Sequence, residues 1–182
     1  MTTTTTINFT GQPHGSIAQI ANIVPDIEAA MRSYVARLNV GPWFVAGPFV
    51  PQKGVYRGTP ITPRLTLALA YSGTTMIELI QQHDDGPSVF AETVKKRGYG
   101  FHHFGLAVRE FDAKVAAYLD KGYEIAFSDT APMGMRVAYM DTEKELPGMV
   151  ELIEGNQAFE DFFTPIFRAS IVWDGKDAVR RL

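Results

Sequence analysis

The chain has 182 residues, enough for one well-buried domain or two small fused modules. Its 46% hydrophobic and 20% charged content is that of an ordinary soluble globular protein, and a net charge of −3 gives no basic footprint for nucleic acid. The absence of cysteine excludes a disulfide scaffold and thiolate metal sites.

Residues 1–16, with their threonine run and Gly11-Gln12-Pro13-His14-Gly15, read as a flexible leader. The leader has neither the basic start nor the apolar core of a signal peptide. No apolar run approaches the ~20 residues of a membrane-spanning helix, so a soluble cytoplasmic protein with no membrane partner is expected. Ile17 to Val24 predicts a strand, short and apolar and ended by Pro25, which cannot continue a ladder. Asp26 is placed to cap a helix in which Ile27, Ala30, Met31, Tyr34, Val35 and Leu38 recur at helical spacing; Asn39 and Gly41 end it. A second strand begins at Gly41-Pro42-Trp43-Phe44-Val45. Residues Gly47 to Pro63, rich in proline, form a long connection of the kind that is usually functional or disordered. Leu65 to Tyr71 and Thr75 to Gln81 predict a hairpin turning at Ser72-Gly73. A helix follows from Gly86-Pro87 through Val89, Phe90, Thr93 and Val94, with Lys95, Lys96 and Arg97 in its last turn and Gly98 as its stop.

The order then repeats: a strand from Phe101 to Val108, a helix from Phe111 to Lys121 stopped by Gly122, and strands at Tyr123 to Phe127, Met135 to Asp141 and Met149 to Ile153. Gln157 to Ile171 carries Phe159, Phe162, Phe163, Ile166 and Phe167 at helical spacing and is expected to pack back on the core, kinked or interrupted at Pro165. Trp173 to Asp177 reads as turn. The boundaries are thus 1–16 for the leader, 17–99 for a first βαβββ module with a linking helix, 100–155 for a second module, and 156–182 for a C-terminal helix and tail.

The repetition is also one of residues. Gln19 and His103, Ala21 and Gly105, Val24 and Val108, Asp26 and Glu110, Ile27 and Phe111, and Ala29 and Ala113 all stand 84 positions apart. In the closing strands Met76-Ile77-Glu78-Leu79-Ile80 matches Met149-Val150-Glu151-Leu152-Ile153 at an offset of 73, the difference absorbed by the longer loop of the first pass. Each half therefore supplies one polar residue at the start of its first strand and one Glu within its last. Alone, a Glu in a strand is a solvent-face residue, and a lone His is a hydrogen-bonded core residue. Two Glu at equivalent positions of a duplicated unit, with Gln19 and His103 likewise paired, make a constellation. If the halves share a cavity, three oxygen donors and one imidazole suit a hard to borderline divalent cation with open positions. Such a cation can polarise a carbonyl, beside a carboxylate able to act as general base.

The stretches Gln19 to Met31, Gly73 to Gln81, Gly100 to Val108 and Pro147 to Glu154 resemble the vicinal oxygen chelate superfamily, which includes glyoxalase I, methylmalonyl-CoA epimerase, extradiol dioxygenases and bleomycin-resistance proteins. The likeness is closest to the epimerase-like branch, in which a His-His pair opens the second module. The resemblance implies an α+β fold of two tandem βαβββ modules forming a cup-shaped mixed sheet, with the C-terminal helix as an addition. It places metal ligands on Gln19, Glu78, His103 and Glu151; His103 rather than His102, because His103 pairs with Gln19. It further implies one divalent metal ion (Zn, Ni, Co, Mn or Fe), a homodimer, and proton abstraction next to a metal-bound carbonyl through an enolate or enediolate. Glu151 is then the base, with Glu78 second. Gln19 tells against an iron ring-cleaving dioxygenase, whose facial triad needs two His. Gly47 to Pro63 contains no Asp or Glu, so a two-base epimerase must use Glu78 and Glu151 themselves. If Trp43, Phe44, Phe49, Tyr56, Tyr71, Tyr99, Phe101 and Tyr139 line the cup, the small-molecule substrate is a fairly large apolar, aromatic or acyl-CoA-type carbonyl compound. Lys53, Arg57 and Arg64 are the candidates to meet a CoA phosphate. Two other readings stand beside this one: glyoxalase I (lactoylglutathione lyase) proper, and a non-catalytic binding or resistance protein.

Overall fold

A computed structural model describes residues 6–182. Its elements run β1 (Ile17–Ile23), α1 (Ile27–Leu38), β2 (Trp43–Phe49), β3 (Val55–Tyr56), β4 (Thr59–Pro60), β5 (Leu65–Ser72), β6 (Thr75–Gln82), α2 (Val89–Arg97), β7 (Gly100–Val108), α3 (Phe111–Leu119), β8 (Ile125–Thr130), β9 (Arg136–Met140), β10 (Met149–Glu154), α4 (Gln157–Ile171) and β11 (Val179–Arg181). The two strand–helix–strand–strand–strand passes are both present. Local chemistry sets several boundaries: the Asp26 carboxylate accepts from Ala29 N at 2.9 Å, Asn39 ends α1 in the left-handed region, and Gly98 ends α2 at φ +85. Glu110, the counterpart of Asp26 in the second pass, makes no capping bond.

All strands belong to one mixed sheet ordered β11-β2-β5-β6-β1-β7-β10-β9-β8-β3-β4. Each half pairs its first strand with its last in parallel, β1 with β6 and β7 with β10, and the halves join by antiparallel pairing of β1 with β7. The sheet cannot be open and flat. Between β2 and β3 lie eight strand steps, an arc of about 38 Å at the usual strand spacing. The chain crosses that gap with residues 50–54 alone, which span at most about 20 Å. The sheet therefore curls until its two ends approach, and the loop straps the mouth of the resulting cup.

Strand parity assigns the layers. On the convex face α1 covers Val45, Ala68, Ala70 and Leu79, while α3 covers Val108, Met140, Val150 and Leu152. On the concave face the ends of the cup are filled separately. Val89 and Phe90 of α2 pack on Ala21, Ile23 and Ile80; Phe159, Phe163 and Ile166 of α4 pack on Leu69, Met76 and Ile153.

Four expectations change. Residues 1–5 of the expected leader lie outside the described residues, but the part that follows is tied to the fold at Asn8 and Phe9: the buried Asn8 carboxamide oxygen accepts from Thr10 and Gln12, and the Phe9 ring sits 5.7 Å from Phe159 and 5.8 Å from Phe167. The long connection contains strands β3 and β4, and the tail contains β11, all too short to show periodicity in sequence. Strand β8 begins two residues later than its apolar run suggests, because Tyr123 turns to pack on Tyr118. Helix α4 continues through Pro165, one backbone hydrogen bond short, because the buried Phe163 and Ile166 on either side hold it against the sheet.

The strap is pinned where β3 meets β8. Arg57 donates to both carboxylate oxygens of Glu92 on α2 at 2.9 and 2.7 Å and to Asp141 at 2.8 Å. The Arg57 hydrogen bonds hold the Glu92 carboxyl below its ordinary range. Arg57→Ala is expected to cost about 1 kcal/mol, a Tm drop of roughly 2–4 °C for a chain of this size. A depressed carboxylate stabilises the fold above its unfolded value and loses that contribution as pH falls through its folded value. Thermal melts from about pH 7 down to pH 3 should therefore show the difference between variant and parent shrinking on acidification.

Candidate functional site

The strand register brings the paired residues of the sequence together. In β1 and β7, Gln19 lies opposite Gly105, and Ala21 opposite His103. Ala21 is also the partner of Glu78 on β6, and Gly105 the partner of Glu151 on β10. Partners across a ladder and residues two apart on a strand share a face, so all four polar side chains stand on the concave face around Ala21 and Gly105. The small residues make that convergence possible. A Cβ on Gly105 would come within 2.8 Å of the Gln19 Cβ.

All four side chains are buried. Gln19 Nε2 donates to Glu78 Oε2 at 2.6 Å and lies 3.3 Å from His103 Nε2. His103 Nε2 is 3.1 Å from Glu151 Oε2 and 3.6 Å from Glu78 Oε2. Two carboxylates thus face one imidazole with no lysine or arginine among their partners. Burial first, then the Glu151 charge, pushes the Glu78 carboxyl well above the ordinary carboxylate value, against the opposing effect of the Gln19 amide. Tyr139, the cross-strand partner of Glu151, has its ring 4.7 Å from that of His103. Its phenol is held protonated by burial and by Glu151 and Glu78.

His102, which the sequence leaves without a role, joins this group. Strict alternation would send it to the opposite face, but the β1–β7 register shifts between Ala21 and Asn22, and the bulge brings both histidines inward. Their Nδ1 atoms are 2.8 Å apart, so one ring donates to the other. Burial and the neighbouring His103 lower the His102 pKa well below its usual value and keep it neutral. Its Nε2 faces the Val89 backbone without reaching hydrogen-bond geometry. The adjacent pair of histidines was the only sequence signal for this contact.

Among the described residues no three His, Asp or Glu side chains form a ready-made cation cage; the four groups close onto one another. The donor set nevertheless fits a cation. Ligands bound to one ion at ~2.0–2.2 Å lie about 3.0–3.4 Å apart, close to the 3.6 and 3.1 Å separating His103 Nε2 from the Glu78 and Glu151 carboxylates. Two buried carboxylates left otherwise uncompensated would also be balanced by a double positive charge.

The cup above this group encloses about 430 Å³. Of the aromatics expected to line it, only Phe49 and Tyr139 do so; the other walls are built by Leu67, Leu69, Val137, Phe90, Phe127, Phe162 and Phe163. Trp43 points to the convex side against Tyr34, Tyr56 donates to Glu92, and Tyr99 is exposed. Tyr71 packs on Phe167, Phe101 packs on Phe104, and Phe44 lies under Arg180.

Residues 18–139 match the sequence profile described as the Glyoxalase/Bleomycin resistance protein/Dioxygenase superfamily. The chain belongs to this superfamily. The match includes Gln19, Glu78 and His103 and ends before β10, the strand that carries Glu151. No curated protein matches the chain in sequence. Solved structures share the fold. A hypothetical protein from Bacillus halodurans C-125 aligns at 20% identity and TM-score 0.59, covering 78% of this chain and 95% of its own. A variant methylmalonyl-CoA epimerase of Streptomyces coelicolor, in complex with 2-nitronate-propionyl-CoA, aligns at 20% identity and TM-score 0.59, covering 80% and 97%. The Mycobacterium tuberculosis methylmalonyl-CoA epimerase aligns at 17% identity and TM-score 0.55, covering 80% and 91%. No helix of the described residues is long and apolar enough to cross a membrane.

The raised carboxyl yields a pH-dependent test. A carboxyl raised in the fold contributes stability that is complete below its unfolded value and is lost as pH rises through its folded value. In protein stripped of metal, Glu78→Gln removes that loss and keeps an acceptor for Gln19. The variant is expected to melt about 2–4 °C above the parent near pH 8, with the gap closing towards pH 4. Chelated thermal melts across that range check it.

Proposed function

We propose that this protein is a divalent-metal-dependent isomerase, epimerase or lyase that removes a proton from the carbon next to a substrate carbonyl. The observation that supports this most directly is the convergence of two buried carboxylates on one imidazole and one amide at the floor of an apolar cup. Gln19, Glu78, His103 and Glu151 would hold the ion, Gln19 through its amide oxygen. When bound, the cation supplies Lewis-acid polarisation of the carbonyl and a counter-charge for the carboxylates.

The remaining work falls to the side chains. Glu151 Oε2 accepts the proton, and the protonated Tyr139 beside it orients the carboxylate. Glu78, across the imidazole, can return a proton to the same carbon from its other side or to the adjacent carbon; the first outcome is epimerisation and the second isomerisation. The apolar walls exclude water, so a proton held on either carboxyl is not lost to solvent. His102 positions His103. With His103 Nδ1–H donating to His102 Nδ1, the His103 Nε2 keeps a lone pair directed at the other three groups, the arrangement commonly found behind metal-bound histidines.

Metal content of protein purified without chelator tests the proposal first; no bound metal, and no uptake of Zn, Ni, Co or Mn, would rule it out. Glu151→Gln is expected to keep most of the metal yet abolish exchange of a substrate α-proton with deuterated water, measured by NMR. His103→Ala should lose metal affinity most severely. His102→Leu should lose it about 10–100-fold, and His102→Asn, which keeps an acceptor near Nδ1, should lose less. Equal affinities for the Leu and Asn variants would show that His102 only fills space.

A further inference from the structure

The charge on the walls of the cup names a substrate class. Among the described residues three ionisable side chains apart from Tyr139 line the cavity, and all three are acids: Glu78 and Glu151 at the floor and Asp129, which accepts from the strap at Lys53 N–H. Among the described residues no lysine, arginine or histidine lines it. The cations that the loop sequence offers are engaged elsewhere or turned away. Arg57 is bound to Glu92 and Asp141, Arg64 is exposed with its backbone N–H donated to Asp84, and Lys53 presents its backbone N–H to Asp129; neither Arg64 nor Lys53 lines the wall, and Arg180 of β11 stacks over Phe44. Leu67, Leu69, Val137 and Phe162 make the rest of the wall largely apolar.

An anionic group entering this space leaves water and meets no opposite charge, only carboxylates in a region of low polarity. The volume of about 430 Å³ corresponds to on the order of fifteen non-hydrogen atoms, taking water's ~30 Å³ share of liquid volume as a guide. We propose that the cup binds an uncharged, largely apolar carbonyl compound of about this size and rejects one that carries an anionic group into the cavity. The proposal rests on the cup being the substrate site of the proton-transfer reaction above.

The test uses the full chain, stripped of metal, so that it reads the walls and not the ion. Equilibrium dialysis near pH 7.5 compares methyl 6-acetyl-2-naphthoate with the free 6-acetyl-2-naphthoate anion, a pair matched in size and differing in charge. The ester is expected to bind at least tenfold more tightly. Asp129→Asn should narrow that preference by severalfold, and Leu67→Trp, which fills the cavity, should abolish ester binding; Ala131→Trp at the rim takes its place should the first variant not fold. Equal or tighter binding of the anion, no binding of the ester, or ester binding that survives cavity filling would overturn the proposal. Ester binding by a protein that takes up no metal would refute the proton-transfer reading and leave the charge selection standing.

Discussion

The antiparallel pairing of β1 with β7 is the contact on which the rest of the molecule depends. Its register sets Gln19 opposite Gly105 and Ala21 opposite His103. That one alignment carries the two parallel pairings, β1 with β6 and β7 with β10, into a common frame. A slip by one residue would send one half's polar residues to the convex face, into the layer that α1 or α3 covers. The pairing also explains the small residues at the centre. Two strands crossing with long polar side chains on each need a floor without bulk, and Ala21 and Gly105 supply it.

The curvature of the sheet turns that alignment into a site. Because residues 50–54 bridge the two ends of the strand order, the concave face closes on itself and the carboxylates are withdrawn from water. Burial of two like charges is unfavourable for the fold, and it is the same burial that gives them reactive surroundings. The ends of the cup are closed by α2 and α4 and the strap is held by Arg57, so the stabilising contacts lie outside the group they enclose.

The sequence made Gln19, Glu78, His103 and Glu151 visible because duplication leaves a mark at a distance: a fixed offset reports equivalence between positions whatever the fold. His102 could not be read in the same way. Its inward turn comes from a bulge in β7, and a bulge is a property of two paired strands. The aromatics were misplaced for a related reason. Trp43 and Phe49 stand six residues apart in one strand and would share a face by alternation, but the β2–β5 register shifts between Ala46 and Phe49, which turns Phe49 into the cup while Trp43 stays on the convex side. The short strands β3, β4 and β11 have too few residues for any period, and exist because neighbouring edges offer them partners.

By itself, then, the sequence determined the two strand–helix–strand–strand–strand passes, the caps of α1 and the equivalence of four polar positions, since these follow from local propensity, periodicity and repetition along one chain. Only the tertiary structure decided that the four groups share one face, that His102 stands behind His103, and that the wall above them carries acids and no cations. Each of those depends on strand register and sheet curvature, which are fixed by long-range pairing and leave no local mark on the residues they arrange.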